Sequence, residues 1–308
     1  MLIDYTKELQ HLDKIRKGEI RQGYTLGIPE IDNFYRMKPA SFDIFLGQAN
    51  VGKTTMVLYM MLLYSLRHDI KWIVFSSENE PSDIIKKLIE FLSASPINLL
   101  SDEDYKYAVE VIKNYFKFIS PDKLYTYRDI LGLAQSYKNA WDYQGLLIDP
   151  YNSLIKDPEL SKHIDGHSYD YQAMTEIRHF AKETGVSVWM NIHAVTGAIR
   201  MTHPMGHQYA GFPIVPSAGD GEGGSKNINR SDQFVCIHRY LQHPTDWNQT
   251  HIHIRKVKSI ESGGKPTSLD NPIILKSIKN NVGFEIDGVN IVKKIIEDKK
   301  AKTFLRKA

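Results

Sequence analysis

Gly47-Gln48-Ala49-Asn50-Val51-Gly52-Lys53-Thr54 decides the fold of this chain. It is a complete GxxxxGK[ST], and it lies directly after a short apolar run, residues 42–46, and directly before a dense helical stretch, residues 55–67. Glycines let a backbone wrap closely around a phosphate, so that successive N–H groups point inward at the positive end of the helix. Lys53 then supplies countercharge to the β- and γ-phosphates, and the Thr54 hydroxyl is a ligand for Mg²⁺. An incidental glycine turn would not need the strand–loop–helix setting. The loop therefore predicts a nucleoside triphosphate, with Mg²⁺, as ligand.

Working outward, two acidic positions suit the same site. Asp149 closes the continuous apolar strand GLLID, residues 145–149, at the sheet edge where open α/β folds bind ligands. A carboxylate there holds a magnesium ion through water. Glu78 follows the strand within WIVFSSENE and is placed to orient and deprotonate an attacking water. Glu80, two residues on, is the competing choice. His193 ends the strand VSVWMNIH, beside the expected γ-phosphate.

The rest of the chain alternates in the same way. Strands are expected at 71–76, 145–149 and 186–192, and helices from Pro81 and over 102–118, 128–141 and 168–183. Such alternation predicts an α/β fold with a mainly parallel central sheet flanked by helices. Residues 194–231 break the pattern, being rich in glycine and proline with little periodicity. Strands follow near 233–238, 251–257 and 273–278, then a hairpin around 280–286. At the start, Leu2, Tyr5, Leu9, Leu12 and Ile15 form one helical stripe. Either it packs on its own core or it docks on a neighbouring subunit.

Composition bounds the rest. The chain has 308 residues, 42% of them hydrophobic and 24% charged, which excludes wholesale disorder. The net charge, 39 Lys+Arg against 36 Asp+Glu, is +3, too small to name a partner. Residues 292–308 carry much of the positive charge. A single cysteine, Cys236, excludes an intramolecular disulfide framework and a zinc site built on several thiolates. His203, His207, His251 and His253 have no carboxylate or thiolate partner nearby in sequence, so no metal site is assigned to them. The longest apolar run, 56–64, is about half a membrane span. With no apolar signal-peptide core at the N-terminus, these features predict a soluble cytoplasmic protein of a reducing compartment, with no membrane partner.

The order of the elements resembles the motor domain of the DnaB-type, superfamily 4 ring helicases, with the greatest likeness to phage primase–helicases and the mitochondrial helicase Twinkle. The likeness is carried by GQANVGKTT (47–55), FSSE (75–78), LID (147–149), NIH (191–193), GGSKNINRSDQFVCIHR (223–239) and KVKSIESG (256–263), and it spans about 23–288. It implies a RecA-like P-loop NTPase fold, a homo-oligomeric ring of six, ATP sites between subunits, and possible phage origin. By that resemblance the loop from Gly47 to Thr54, the following Thr55 and Asp149 bind ATP, and Thr54 and Asp149 hold Mg²⁺. Glu78 is the catalytic base, and His193 senses the γ-phosphate. Loops within 194–216 and 219–232 would face a central channel and touch single-stranded DNA. Arg200, Lys226, Asn227 and Arg230 are the contacts expected there, with Tyr209 and Phe212 as stacking faces.

Two departures stand out. Lys258 occupies the position where the family places an arginine finger, leaving Lys256 and Lys258 as candidate residues acting across an interface. A primase-like N-terminal domain is not recognisable, so a separate primase or loader is the expected partner. The resulting expectation is an N-terminal linker helix at 1–20, a motor domain at 21–290 and a basic tail at 291–308. Its activity is that of an ATP-driven helicase or translocase moving 5′ to 3′. The alternative is a RecA-like ATPase, as in recombinase-like or clock-type relatives, whose hydrolysis times assembly and unwinds nothing.

Overall fold

The apolar runs on either side of the phosphate loop become the middle of a ten-stranded sheet. The computed structural model describes residues 4–19, 23–224 and 226–305. Its strands are β1 (Phe42–Gly47), β2 (Trp72–Ser76), β3 (Phe116–Ile119), β4 (Gly145–Asp149), β5 (Ser187–His193), β6 (Gln233–His238), β7 (Gln249–Val257), β8 (Ile273–Ser277), β9 (Phe284–Ile286) and β10 (Val289–Asn290). Across the sheet they run β10-β9-β8-β7-β6-β1-β5-β4-β2-β3. From β6 to β3 every neighbour is parallel, and from β6 to β10 every neighbour is antiparallel. The expected α/β architecture, a mainly parallel sheet with helices on both faces, is the one observed.

The register follows from burial. β1, β2 and β4 are buried at every residue and β5 at all but its last. Such strands need cover on both sides. One face packs against the helices Lys53–His68, Pro81–Ser93 and Ile291–Leu305, and the other against Tyr127–Tyr137 and Gly166–Thr184. Trp72 and Trp189 meet at 4.7 Å between ring centroids in the first layer. Gly145 makes room for them, because a Cβ there would stand 2.1 Å from the Trp72 ring.

Three expectations change. The helix expected over 102–118 stops at Tyr115, and Phe116–Ile119 adds β3 to the sheet beside β2. Aromatic and β-branched residues in FKFI favour that extended form. Residues 291–308, expected as a basic tail, contain the helix Ile291–Leu305 instead, with Ile291, Val292 and Ile295 buried in the core; residues 306–308 lie outside the described residues. The charge of that stretch had masked its helical apolar spacing. At the N-terminus the helix Tyr5–Arg16 forms but buries no residue, so its stripe does not pack on this chain's core. Leu2 of that stripe lies outside the described residues.

The stretch 194–221 is a folded cover. Tyr209 stacks on Tyr240 at 3.7 Å, His203 stacks on His207 at 3.9 Å, and His203 Nε2 lies 2.9 Å from the Tyr240 hydroxyl. Beneath it, β6 and β7 pair Cys236 with His253 and His238 with His251, placing four side chains on one sheet face. No three His, Cys, Asp or Glu side chains among the described residues come together as a metal site.

Burial pushes the pKa of His238 down to about 3, of His251 to about 4 and of His253 to about 2. All three rings stay neutral in the folded chain, whereas the unfolded chain takes up protons below about pH 6.5. Stability is therefore lost as pH falls through 6.5 toward 4, about 3 kcal/mol from His251 alone by pH 4. The melting temperature should be flat above pH 7 and fall steeply below 6, and His251→Phe should shallow that fall. A melting temperature unchanged between pH 8 and pH 5 would overturn this account.

Candidate nucleotide site

β1 ends at Gly47, where a Cβ would press to 3.0 Å on the Ile237 carbonyl oxygen and on Val51. The chain then turns through left-handed backbone at Asn50 (φ 64°) and Gly52 (φ 79°) before the helix Lys53–His68 begins. Among the described residues, no protein group accepts a hydrogen bond from the N–H groups of residues 48–55. A row of unpaired donors at a helix N-terminus is an anion receptor.

The two threonines of the first helical turn are not equivalent. Thr54 points its hydroxyl at Asp149, as described below, whereas the half-buried side chain of Thr55 takes part in no hydrogen bond among the described residues. Thr55 Cβ lies 3.9 Å from where a Cβ on Gly52 would be. The expectation of Thr55 as an ATP ligand is thus narrowed to its backbone N–H, the last of the unpaired row. Successive residues of a helix diverge by about 100°, so only one of the two hydroxyls can face the carboxylate.

Lys53 is buried beneath this loop. Its Nζ donates to the Ile192 carbonyl at 2.9 Å and lies 3.4 Å from His193 Nδ1. Burial lowers the Lys53 pKa, against the opposing pull of Asp149, Glu78 and Glu222. An ammonium only donates, so His193 Nδ1 accepts and Nε2 carries the ring proton. That Nε2 stands 3.1 Å from Glu78 Oε1. Glu80 stands instead at the N-cap of the helix Pro81–Ser93.

Asp149 reaches the site because β4 pairs with β2 in a register that sets Ser76 opposite Asp149. Thr54 Oγ1 donates to Asp149 Oδ2 at 3.0 Å, and Asn191 Nδ2 donates to Oδ1 at 2.6 Å. Burial raises the Asp149 pKa, and the Asn191 bond, Lys53 and Thr54 oppose that rise. The Thr54 hydroxyl and the Asp149 carboxylate make an adjacent pair of hard oxygen donors. Such a pair fits Mg²⁺, which completes its octahedron with phosphate oxygens and water.

Four residues here escaped the sequence reading. Asn191 was visible only as the polar member of an otherwise apolar run. Asn152 accepts the His193 N–H on Oδ1 at 3.0 Å and donates through Nδ2 to Glu222, whose own N–H reaches the His193 carbonyl at 2.9 Å. Nothing in residue spacing links Asn152 to Glu222, which are 70 positions apart. Arg239, just past β6, lies over the loop, with Nη1 3.6 Å from where a Cβ on Gly52 would be and Nη2 donating to the Trp247 carbonyl at 2.8 Å.

The residues expected to touch nucleic acid separate into two groups. Lys226 is buried, its Nζ 3.1 Å from Asp170 Oδ2, and Asn227 is buried, donating to the Glu222 carbonyl at 2.8 Å. Both are engaged inside the chain, where the glycines around them had suggested an open loop. Arg200 is exposed, and Arg230 lies 4.0 Å over the Tyr171 ring. Tyr209 is buried in the aromatic cover, and Phe212 packs on His243, so neither is an open stacking face. Lys256 donates to the carbonyls of Ile228 and Ser231, while Lys258 is half exposed with Nζ 3.5 Å from Asp232. The two lysines do not act as one pair, since each has a different partner.

The site and sheet together have solved counterparts. A solved helicase ATPase domain superposes with a TM-score of 0.71 at 16% identity, covering 91% of this chain and 96% of that one. A DnaB-like replicative helicase, solved with its interactions with primase, gives 0.68 at 16% identity over 92% of this chain and 67% of that one. The fold is that of a DnaB-type helicase ATPase domain. No protein-family model matches the sequence, and neither does any curated protein. No described helix is long and apolar enough to cross a membrane.

The buried position of Lys226 makes a direct prediction. Lys226→Ala leaves Asp170 without its cation and should cost about 3 kcal/mol of stability in urea unfolding. A loss below about 0.5 kcal/mol would return Lys226 to the surface.

Proposed function

We propose that this chain is an ATP hydrolase of the DnaB-helicase type, assembling as a homo-oligomeric ring of six and moving on single-stranded DNA. The observation that carries the reading is the convergence of Lys53, Thr54, Glu78, Asp149 and His193 at the C-terminal edge of four neighbouring strands, β1, β2, β4 and β5. The unpaired N–H groups of the loop, that of Thr55 included, and the Lys53 ammonium bind the phosphates. Mg²⁺, when bound, neutralises further phosphate charge. Glu78 orients and deprotonates the attacking water. His193 touches both Lys53 and Glu78, so it sits where the loss of a γ-phosphate is felt. Its backbone passes that change through Asn152 and Glu222 to the cover over 194–221, where exposed Arg200 and, near it in sequence, Arg230 meet the DNA backbone. The buried Cys236 accords with a reducing cytoplasm, and a separate primase or loader is the partner this reading needs.

The finger must come from a neighbour. β7 runs antiparallel to β6, pairing Val257 with Gln233 at the start of β6, whereas the phosphate loop leaves the opposite end of the parallel strands. Lys258 is thus far along the sheet from its own Lys53 and serves only a second copy. To act, its ammonium leaves Asp232, which keeps Arg178 at 2.8 Å.

A second reading, a nucleotide-gated assembly ATPase without unwinding activity, is favoured by the carbonyl-bound Lys256 and the Asp232-paired Lys258. ATP hydrolysis rising several-fold with single-stranded DNA at low salt, together with unwinding of a forked duplex, selects the motor. Hydrolysis indifferent to DNA selects the assembly module.

Two substitutions test the roles. Glu78→Gln should retain nucleotide binding and lower kcat by on the order of 10²–10⁴. If Glu80→Gln shows that loss and Glu78→Gln does not, the base has been misassigned. Lys258→Ala should leave ATP affinity nearly intact and lower kcat, with activity recovered on mixing with a Lys53→Ala partner, whose Lys258 completes the intact phosphate loop. Unaltered kcat in Lys258→Ala at saturating ATP and protein would exclude a role across the interface.

A further inference from the structure

Between Val188 and Ile192, β5 is apolar except at Asn191, which is fully buried. It stands opposite Phe45 of β1, and its neighbour Met190 stands opposite Ile148 of β4, so Asn191 lies beside Asp149. Its Nδ2 donates to Asp149 Oδ1 at 2.6 Å, while its own Oδ1 has no hydrogen-bond partner among the described residues. A buried amide with one unpaired oxygen is less stable than a leucine of similar volume at the same place. Stability therefore does not account for it.

The geometry of the carboxylate does. Asp149 Oδ1 takes the Asn191 bond, with Thr54 more distant at 3.2 Å. Oδ2 takes Thr54 at 3.0 Å and Ser76 at 3.4 Å. The shortest bond in the set pins one oxygen from within the sheet and leaves the other for the phosphate loop. We propose that Asn191 is a positioning and specificity-determining residue: by holding Oδ1 it lets Asp149 present a single oxygen, selecting Mg²⁺ over Ca²⁺. Mg²⁺ keeps several waters and demands a tight octahedron, whereas Ca²⁺ takes bidentate carboxylates and higher coordination. A partner behind a metal-binding side chain tunes affinity in this way. The inference rests on the nucleotide site proposed above.

The test needs no turnover. Mn²⁺ bound to the full chain with ADP is followed by electron paramagnetic resonance and displaced by Mg²⁺ or Ca²⁺, in wild type, Asn191→Leu and Asn191→Asp. Asn191→Leu should weaken Mg²⁺ about tenfold and Ca²⁺ much less, with metal-free ADP affinity unchanged and a melting temperature equal or higher. Asn191→Asp keeps the shape, removes the donor and adds a carboxylate; it too should lower the Mg²⁺ to Ca²⁺ preference, and it decides the matter if the leucine variant does not fold. An unchanged preference, or parallel loss of both ions as from a general structural defect, overturns the inference. A wild type that binds Mg²⁺ with ADP but hydrolyses no ATP overturns the motor and leaves Asn191 to be judged by the ion preference. A wild type that binds no metal with nucleotide overturns both.

Discussion

A lysine ammonium buried at the end of a parallel sheet has to be paid for, and the edge of this sheet is organised around Lys53. Burial works against its charge, while Asp149, Glu78 and Glu222 support it. The same burial works against the charge of Asp149, which Asn191, Lys53 and Thr54 support in turn. Neither ion is stable there without the other, so removing one partner leaves an uncompensated charge. Strand register brings them together. β1 pairs with β5 so that Gly47 faces His193, and β2 pairs with β4 so that Ser76 faces Asp149.

In this arrangement Lys53 holds a carbonyl oxygen, that of Ile192, and approaches His193. Phosphate oxygens are far stronger acceptors for an ammonium than a neutral carbonyl. A nucleotide would draw Nζ away from the end of β5, and His193 Nδ1 would lose its donor at that moment. The His193 backbone is bonded on both sides to groups outside the sheet, its N–H to Asn152 and its carbonyl to the Glu222 N–H. A change at the phosphate thus has a short, hydrogen-bonded path to the segments after β4 and β5.

The sequence revealed most where one residue's environment is set by its immediate neighbours. Continuous apolar runs identified β1, β2, β4 and β5 because burial on both faces leaves no alternation to misread. Gly52 was legible because only a side-chain-free residue adopts φ 79° without strain there. The pair Thr54 and Thr55 was legible as a pair, but which hydroxyl faces Asp149 depends on the pitch of the helix against β4. Lys226 and Asn227 were not legible, since glycine-rich surroundings look solvated whether or not Asp170, about fifty-six positions earlier, folds beneath them. The helix Ile291–Leu305 was hidden by its own surface charge. β3 was hidden because four residues after a helix give too short a window for periodicity to change. Asn152 and Glu222 meet through tertiary contact alone.

The polarity of the sheet has a consequence for assembly. A parallel sheet gathers strand C-termini, and with them the phosphate loop, Glu78, Asp149 and His193, at one edge. The antiparallel return of β7 carries Lys256 and Lys258 to the other edge. No hinge within one chain closes that separation, because β6 and β7 are bonded to each other and to β1 along the way. If a cation from this segment stabilises charge on a transferring phosphoryl group, a second copy must supply it. The exposed, unpartnered stripe of Tyr5, Leu9 and Leu12 on the N-terminal helix is then what a chain built to meet its own copy would carry. Asp232 fits the same logic: paired with Arg178, it keeps its charge balanced after Lys258 departs, so swinging the lysine across an interface leaves no buried carboxylate uncompensated.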